Sequence, residues 1–128
     1  MKRPKKVLLL GAGGMGMAPL ALYLKGAGVR VEAYDDCFCE PNRGHLIECG
    51  VKVLDELNPT KKPDCIVHSS AIKHNDPRLK KFKNLEIPFY RRGEFLANLF
   101  ARHKVIAVVG SHGKTSVSGR LAWALKES

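Results

Sequence analysis

Gly110-Ser111-His112-Gly113-Lys114-Thr115-Ser116 has the residue types of a loop that grips nucleotide phosphates. Glycines let backbone N–H groups converge on the phosphate oxygens. A lysine at this place reaches the β- and γ-phosphates, and the hydroxyl beside it ligates Mg²⁺. Lys114 and Thr115 are therefore the candidate catalytic residues, and Thr115 is the candidate magnesium ligand. The full Walker A spacing is absent, because Val108 stands where the first glycine would be.

A second glycine stretch lies near the other end of the chain. Gly11-Ala12-Gly13-Gly14-Met15-Gly16 fits G-x-G-x-x-G, whose glycines turn tightly and bring the backbone close to a diphosphate. The N–H groups at the following helix start then bind the negative charge. Asp35 closes the next apolar run, where a nicotinamide-binding protein places the acid that holds the ribose hydroxyls. A nicotinamide enzyme has no use for the loop at 110–116, and a simple ATPase has no use for the one at 11–16. Both loops in one chain imply two different phosphorylated ligands.

The elements that must position these loops follow from the apolar pattern. Val7 to Leu10 reads as a buried strand ending at the first loop. Met17, Leu20, Ala21 and Leu24 recur at helical spacing, and "VRVEAY" alternates as a strand. Strand, glycine turn, helix and strand make a βαβ unit. Further on, "PNRGHLIECG" predicts a short helix, "VKVL" and "DCIVHSS" predict strands, and "DPRLKKFK" predicts a helix. In that last helix Asp76 is the N-cap, Pro77 takes the first position, and Leu79 and Phe82 face inward. "IPFYR" predicts a strand and "GEFLANLFARH" a helix with Phe95, Leu96, Leu99 and Phe100 on one face. "KVIAVVG" predicts a buried strand, and "KTSVSGRLAWALKES" a helix with Val117, Leu121 and Leu125 in line. The alternation predicts an α/β, Rossmann-like parallel sheet with helices on both faces.

The chain has 128 residues, enough for one domain with a core, and a formal charge of +10 that suits an anionic partner. Its apolar and charged fractions exclude a disordered chain. Cys37, Cys39, Cys49 and Cys65 form no dense disulfide framework, which predicts a reducing, cytoplasmic compartment. Cys37, Cys39 and Cys49 with His45 do not follow a standard zinc spacing. The basic start followed by an uncharged stretch imitates a signal peptide or membrane span, but Gly11, Gly13, Gly14, Gly16 and Pro19 interrupt it. No membrane partner is expected. Arg78, Lys80, Lys81 and Lys83 on one helix read as a solvated face rather than a nucleic-acid surface, since no aromatic platform lies beside them.

The set "GAGGMGM", "HSSAI", "IPFYRRGEFLANL" and "VVGSHGKTS" resembles the Mur ligases, ATP-dependent amide-bond-forming enzymes of peptidoglycan precursor synthesis. His112, the double glycine at 13–14 and "RRGEFLANL" are similar to the alanine-adding branch; the related murein-peptide ligases also carry the histidine. The resemblance implies a UDP-sugar-binding domain over residues 1–103. Residues 104–128 would be the opening strand, phosphate loop and helix of a truncated ATP-binding domain. Gly11, Ala12, Gly13, Gly14, Met15 and Gly16 would hold the UDP diphosphate. Asp35, Ser69, Ser70, Ala71 and Ile72 would line the nucleotide pocket, with Arg91 or Arg92 adding charge. Residues 110–116 would hold the ATP phosphates with Mg²⁺. The implied substrates are UDP-N-acetylmuramate and L-alanine, joined after the muramate carboxylate becomes an acyl phosphate. Alone, this chain is expected not to be a competent ligase. Its last strand and helix, with Ile106, Val108 and Trp123, are expected to fold back on the first domain or to self-associate. Two readings stay open beside this one: a nicotinamide-type dinucleotide module, and a murein-peptide ligase of peptidoglycan recycling.

Overall fold

β1 (Lys6–Leu10) lies at the centre of a five-stranded sheet. In the computed structural model, which describes residues 2–128, it pairs in parallel with β2 (Arg30–Tyr34) on one side and β4 (Cys65–His68) on the other. β3 (Lys52–Val53) extends the sheet beyond β2, and β5 (Phe89–Arg91) extends it beyond β4. The order β3-β2-β1-β4-β5 is all parallel. The chain leaves β1 toward β2 and later returns to β1's other side. The C-terminal ends of β1 and β4 therefore form the point where strand order reverses, the usual place for a ligand crevice in an open α/β sheet.

Both faces of the sheet are covered, as the unbroken apolar run of β1 requires of a central parallel strand. Val7 and Leu9 point to one face, where α1 (Met17–Gly26) places Met17, Leu20, Ala21 and Leu24. Leu46 of α2 (Asn42–Glu48) and Phe95 of α4 (Arg92–Leu99) complete that core. Leu8 and Leu10 point to the other face. It is closed by Leu79 of α3 (Pro77–Lys80), by Phe82 and Ile87, and by Leu57 and Ile72 from loops. The second cover is thinner than helical alternation predicts: α3 is one turn, followed by a 3₁₀ turn at Lys83–Leu85. The Asp64 carboxylate accepts the N–H groups of Lys5 and Lys6 at 2.8 and 2.9 Å, pinning the start of β1 beside β4. Those two bonds hold the Asp64 pKa below its ordinary value.

The expected strand at 104–110 does not form. These residues are irregular, and Val105, Ile106 and Val109 are exposed, Val109 by 86 %. An apolar run signals a strand, but a strand also needs a neighbour for its N–H and C=O groups. The sheet ends at β5, so no neighbour is supplied. α5 (Lys114–Glu127) forms as expected but buries no residue; Val117, Trp123 and Leu125 face solvent. The expected fold-back onto the first domain is therefore not what the chain adopts.

Candidate functional site

The glycine loop leaves β1 at the reversal point, and three of its four glycines have different physical reasons. Gly11 sits at φ +75°, in the left-handed region, and a β-carbon there would lie 2.8 Å from Ser69 Cβ. The N–H groups of Gly11 and Ala12 both donate to the Tyr34 carbonyl, at 2.9 and 3.1 Å, tying the loop to the end of β2. Gly13 donates its N–H to Asp35 Oδ2 at 2.9 Å, close enough that a β-carbon would collide with that carboxylate. Gly14 donates to the Gly11 carbonyl and otherwise faces open space. Gly16 lies under the guanidinium of Arg92, which fills the volume a β-carbon would take. The N–H groups of Met15 and Gly16 donate to no acceptor among the described residues and remain available to an anion.

The placement of the other expected residues is uneven. Ser69, Ser70 and Ala71 form a turn beside Gly11, in which Ser69 Oγ accepts the Ala71 N–H at 3.2 Å. Ser70 and Ala71 are exposed there. Ile72 does not line a pocket: its side chain is buried in the second core and supports the turn from below. The Ala12 methyl is likewise buried, and Met15 points outward with 91 % exposure. Asp35 braces the loop with both carboxylate oxygens. Its Oδ2 accepts from Gly13 and its Oδ1 accepts the Cys37 N–H at 3.1 Å. Arg91 is exposed and precedes α4, with its N–H held by Glu94 at 3.0 Å. The arginine that reaches the loop is Arg92, the next residue.

Two residues at this edge carry more than the sequence pattern discloses. Arg78 is not part of a solvated face. Its Nε and one terminal nitrogen donate to the two Asp76 oxygens at 2.9 Å, and its other terminal nitrogen pairs with Asp36 at 3.0 Å. Asp36 also accepts the Tyr34 hydroxyl at 2.9 Å, so the end of β2 is clasped to the start of α3. The Arg78 bonds lower the Asp76 pKa to about 2, and the Tyr34 pKa is raised by its bond to Asp36. His68, at the end of β4, is 2 % exposed, and its Nδ1 donates to the Ser69 carbonyl at 3.1 Å. The only sequence signal for it is a polar residue closing an apolar strand.

At the second loop Gly113 takes φ +76° and opens α5, with no atom within 4 Å of where its β-carbon would stand. The N–H groups of Lys114, Thr115 and Ser116, in the first turn of α5, donate to no acceptor among the described residues. Gly110 to Ser116 are all exposed. Cys37, Cys39, His45 and Cys49 are not drawn together into a metal-binding cluster among the described residues. Two hollows of about 360 and 580 Å³ open at the opposite, N-terminal edge of the sheet, away from both loops.

A five-stranded parallel sheet with a glycine-rich loop at its reversal point defines a Rossmann-like α/β domain. The sequence matches the Mur ligase family, catalytic domain, over residues 6–104, and the chain belongs to that family. It is 38 % identical to a UDP-N-acetylmuramate–L-alanine ligase of Coxiella burnetii, covering 100 % of this chain and 29 % of that protein. The corresponding ligase of Pelagibacter ubique is 40 % identical over 88 % of this chain and 25 % of its own length. Among solved structures, a murein peptide ligase from Psychrobacter arcticus superposes with a TM-score of 0.84 at 27 % identity, covering 95 % of this chain and 26 % of that one. A UDP-N-acetylmuramate–alanine ligase from Thermotoga maritima gives 0.68 at 20 % identity, covering 80 % and 24 %, which speaks for the fold alone. The chain thus spans less than a third of the length of these two curated relatives.

Proposed function

We propose that residues 1–103 bind the UDP part of UDP-N-acetylmuramate, and that residues 104–128 begin the ATP-binding domain of a ligase that adds L-alanine to it. The observation that carries the reading is the loop at 11–16, held against β2 and β4 with the Met15 and Gly16 N–H groups left over for a diphosphate. Arg92 adds charge beside it, and the turn at Ser69–Ala71 forms the opposite wall. The Asp35 carboxylate fixes the loop by accepting the N–H groups of Gly13 and Cys37.

The residues at 110–116 fit ATP and Mg²⁺: unpartnered N–H groups, an open Gly113, and Lys114 and Thr115 in the first helical turn. ATP would supply the phosphoryl group that activates the muramate carboxylate. Lys114 and the loop N–H groups would offset the charge gathered on that phosphoryl group, and the Thr115 hydroxyl would hold the magnesium ion. The four cysteines are free thiols, which supports a reducing, cytoplasmic setting.

A murein-peptide ligase is the second reading, favoured by the structural likeness of 0.84 to two such enzymes. The 38–40 % identity to alanine ligases favours the first. Calorimetric titration of the chain with UDP-N-acetylmuramate, ATP–Mg²⁺ and NAD in parallel tests the reading. Binding of the UDP-sugar, lost when Gly13 is replaced by a bulky residue, is the expected result. Binding of NAD in its place would return the chain to the dinucleotide class.

A further inference from the structure

The N-terminal edge of the sheet carries charge that neither loop uses. The two hollows there, of about 360 and 580 Å³, share Arg3, Pro4, Lys5 and Asp64, so they form one continuous concavity. Its charged lining is Lys2, Arg3, Lys5, Lys6, Arg30 and Lys62 against the single carboxylate of Asp64. That surplus of five is half of the chain's net charge of +10. Two of the cations have a structural role. Arg3 donates one terminal nitrogen to the Ala27 carbonyl at 2.9 Å, at the end of α1. Lys6 Nζ is held by Glu32 at 3.3 Å and by the Lys61 carbonyl at 3.2 Å. The side chains of Lys5, Arg30 and Lys62 are exposed and meet no acceptor among the described residues. Asp64 is already engaged: its Oδ2 accepts the N–H groups of Lys5 and Lys6, fixing the segment that both hollows share. Gly28, at φ +83° with no atom within 4 Å of where a β-carbon would stand, keeps the wall beside Arg30 open.

We propose that this concavity is an anion site of its own, for a compact polyanion carrying two or more linked phosphates. Cations of one sign around a hollow focus their field into it. The Arg30 fork matches two phosphate oxygens at once, and Lys5 and Lys62 add point charges beside it. None of the large exposed apolar side chains lines either hollow, so this edge has nothing to insert into a lipid surface. The larger hollow has no aromatic platform on which nucleic-acid bases could stack. A small ligand fits the concavity better than either macromolecule. Lys6 and Leu10, at opposite ends of β1, lie roughly 13 Å apart at the rise of a parallel strand. That exceeds the Debye length of about 8 Å at physiological salt. The edge site and the glycine loop therefore fill independently, and the proposal does not rest on the reading of residues 11–16.

The test titrates the ¹⁵N-labelled chain with inorganic tripolyphosphate, with sodium sulfate at matched ionic strength, with phosphatidylglycerol vesicles and with duplex DNA. The wild type is compared with the double variant Arg30→Gln, Lys62→Gln and with a control of equal charge change elsewhere, Lys80→Gln, Lys83→Gln. Tripolyphosphate is expected to shift the Gly28, Arg30 and Lys62 amides to saturation. The edge variant should weaken that binding about tenfold, the loss of charge-assisted hydrogen bonds. The midpoint for any shifts at Met15 and Gly16 should stay where it was, and the control variant should bind as the wild type does. Tripolyphosphate shifts confined to residues 11–16 and 110–116 overturn the proposal and leave the diphosphate reading standing. Shifts that do not saturate, or that sulfate reproduces, also overturn it, since they report only a counterion atmosphere. So does an equal weakening in the edge and control variants. Tighter binding of vesicles or DNA than of tripolyphosphate at the same amides overturns the small-ligand assignment. Because the wild-type shifts alone locate the site, a misfolded variant leaves the proposal open to refutation.

Discussion

Replacing Gly11 by alanine should damage the domain far more than the same change three residues on. Gly11 takes φ +75°, and a side chain in that region costs about 1–2 kcal/mol. The added methyl would also stand 2.8 Å from Ser69 Cβ and 3.2 Å from Ile72 Cδ1. Ser69 Cβ is rooted in the backbone, and Ile72 is packed in the second core, so neither gives way freely. Overpacking of this kind costs about 1–3 kcal/mol. Together the loss is about 2–5 kcal/mol, a large share of the stability of a domain this size. It corresponds to a fall in Tm of about 10–30 °C. Gly14→Ala is the control. Its φ lies outside the left-handed region and its β-carbon would meet only the Gly11 carbonyl, at 3.5 Å. It should change stability by less than about 0.5 kcal/mol. Urea unfolding of the two variants, followed by far-ultraviolet circular dichroism, measures both. Values within about 0.5 kcal/mol of each other would refute the claim that Gly11 alone is fixed by backbone and packing.

Other outcomes follow from the same geometry. Asp76 has a pKa lowered to about 2 by Arg78, so its contribution to stability is complete above the ordinary carboxylate range and is lost as pH falls toward 2. Asp76→Asn keeps a capping side chain but removes the charge; acid unfolding curves should show a shallower decline for the variant than for the wild type between about pH 4 and 2. Burial pushes the Cys65 thiol up to about 11, while Cys37, Cys39 and Cys49 are exposed. A thiol reagent at neutral pH should label three cysteines promptly and the fourth only on unfolding; four equal rates would contradict the buried assignment. Trp123 is 66 % exposed and is the single tryptophan. Its emission should be strongly quenched by acrylamide in dilute solution. If the uncovered apolar residues of 105–125 drive self-association, that quenching should weaken as protein concentration rises.

The central βαβ unit was legible because each of its parts has a local cause. Val7 to Leu10 is apolar without interruption, the glycines follow, and Met17, Leu20, Ala21 and Leu24 then keep helical spacing. Asp76 and Pro77 announced the start of α3 for the same reason, and the Asp76 carboxylate does accept the Arg78 N–H at 2.9 Å. What stayed hidden depends on partners far along the chain. Arg78 looks solvated until the end of β2 brings Asp36 to it. Arg91 and Arg92 are indistinguishable in a row of letters, and only the turn from β5 into α4 decides which one meets the loop. Residues 104–110 have the letters of a strand but no adjacent strand to bond with.

The glycine loop is short in sequence, yet its shape is imposed by the Tyr34 carbonyl, the Asp35 carboxylate, the Ser69 turn and the Arg92 side chain. These come from three separate strand ends, so the loop acquires its form only when β2 and β4 have docked on β1 and β5 on β4. Its anion affinity is therefore a late and global property of folding, one that a peptide spanning residues 6–26 would lack. Linkage makes the converse hold. A diphosphate that binds only the assembled loop stabilises every strand that shapes it, by about 2.7 kcal/mol at a hundredfold excess over Kd. Hydrogen exchange at β5, the strand farthest from β2 along the chain, should then slow on ligand binding as much as exchange at the loop itself.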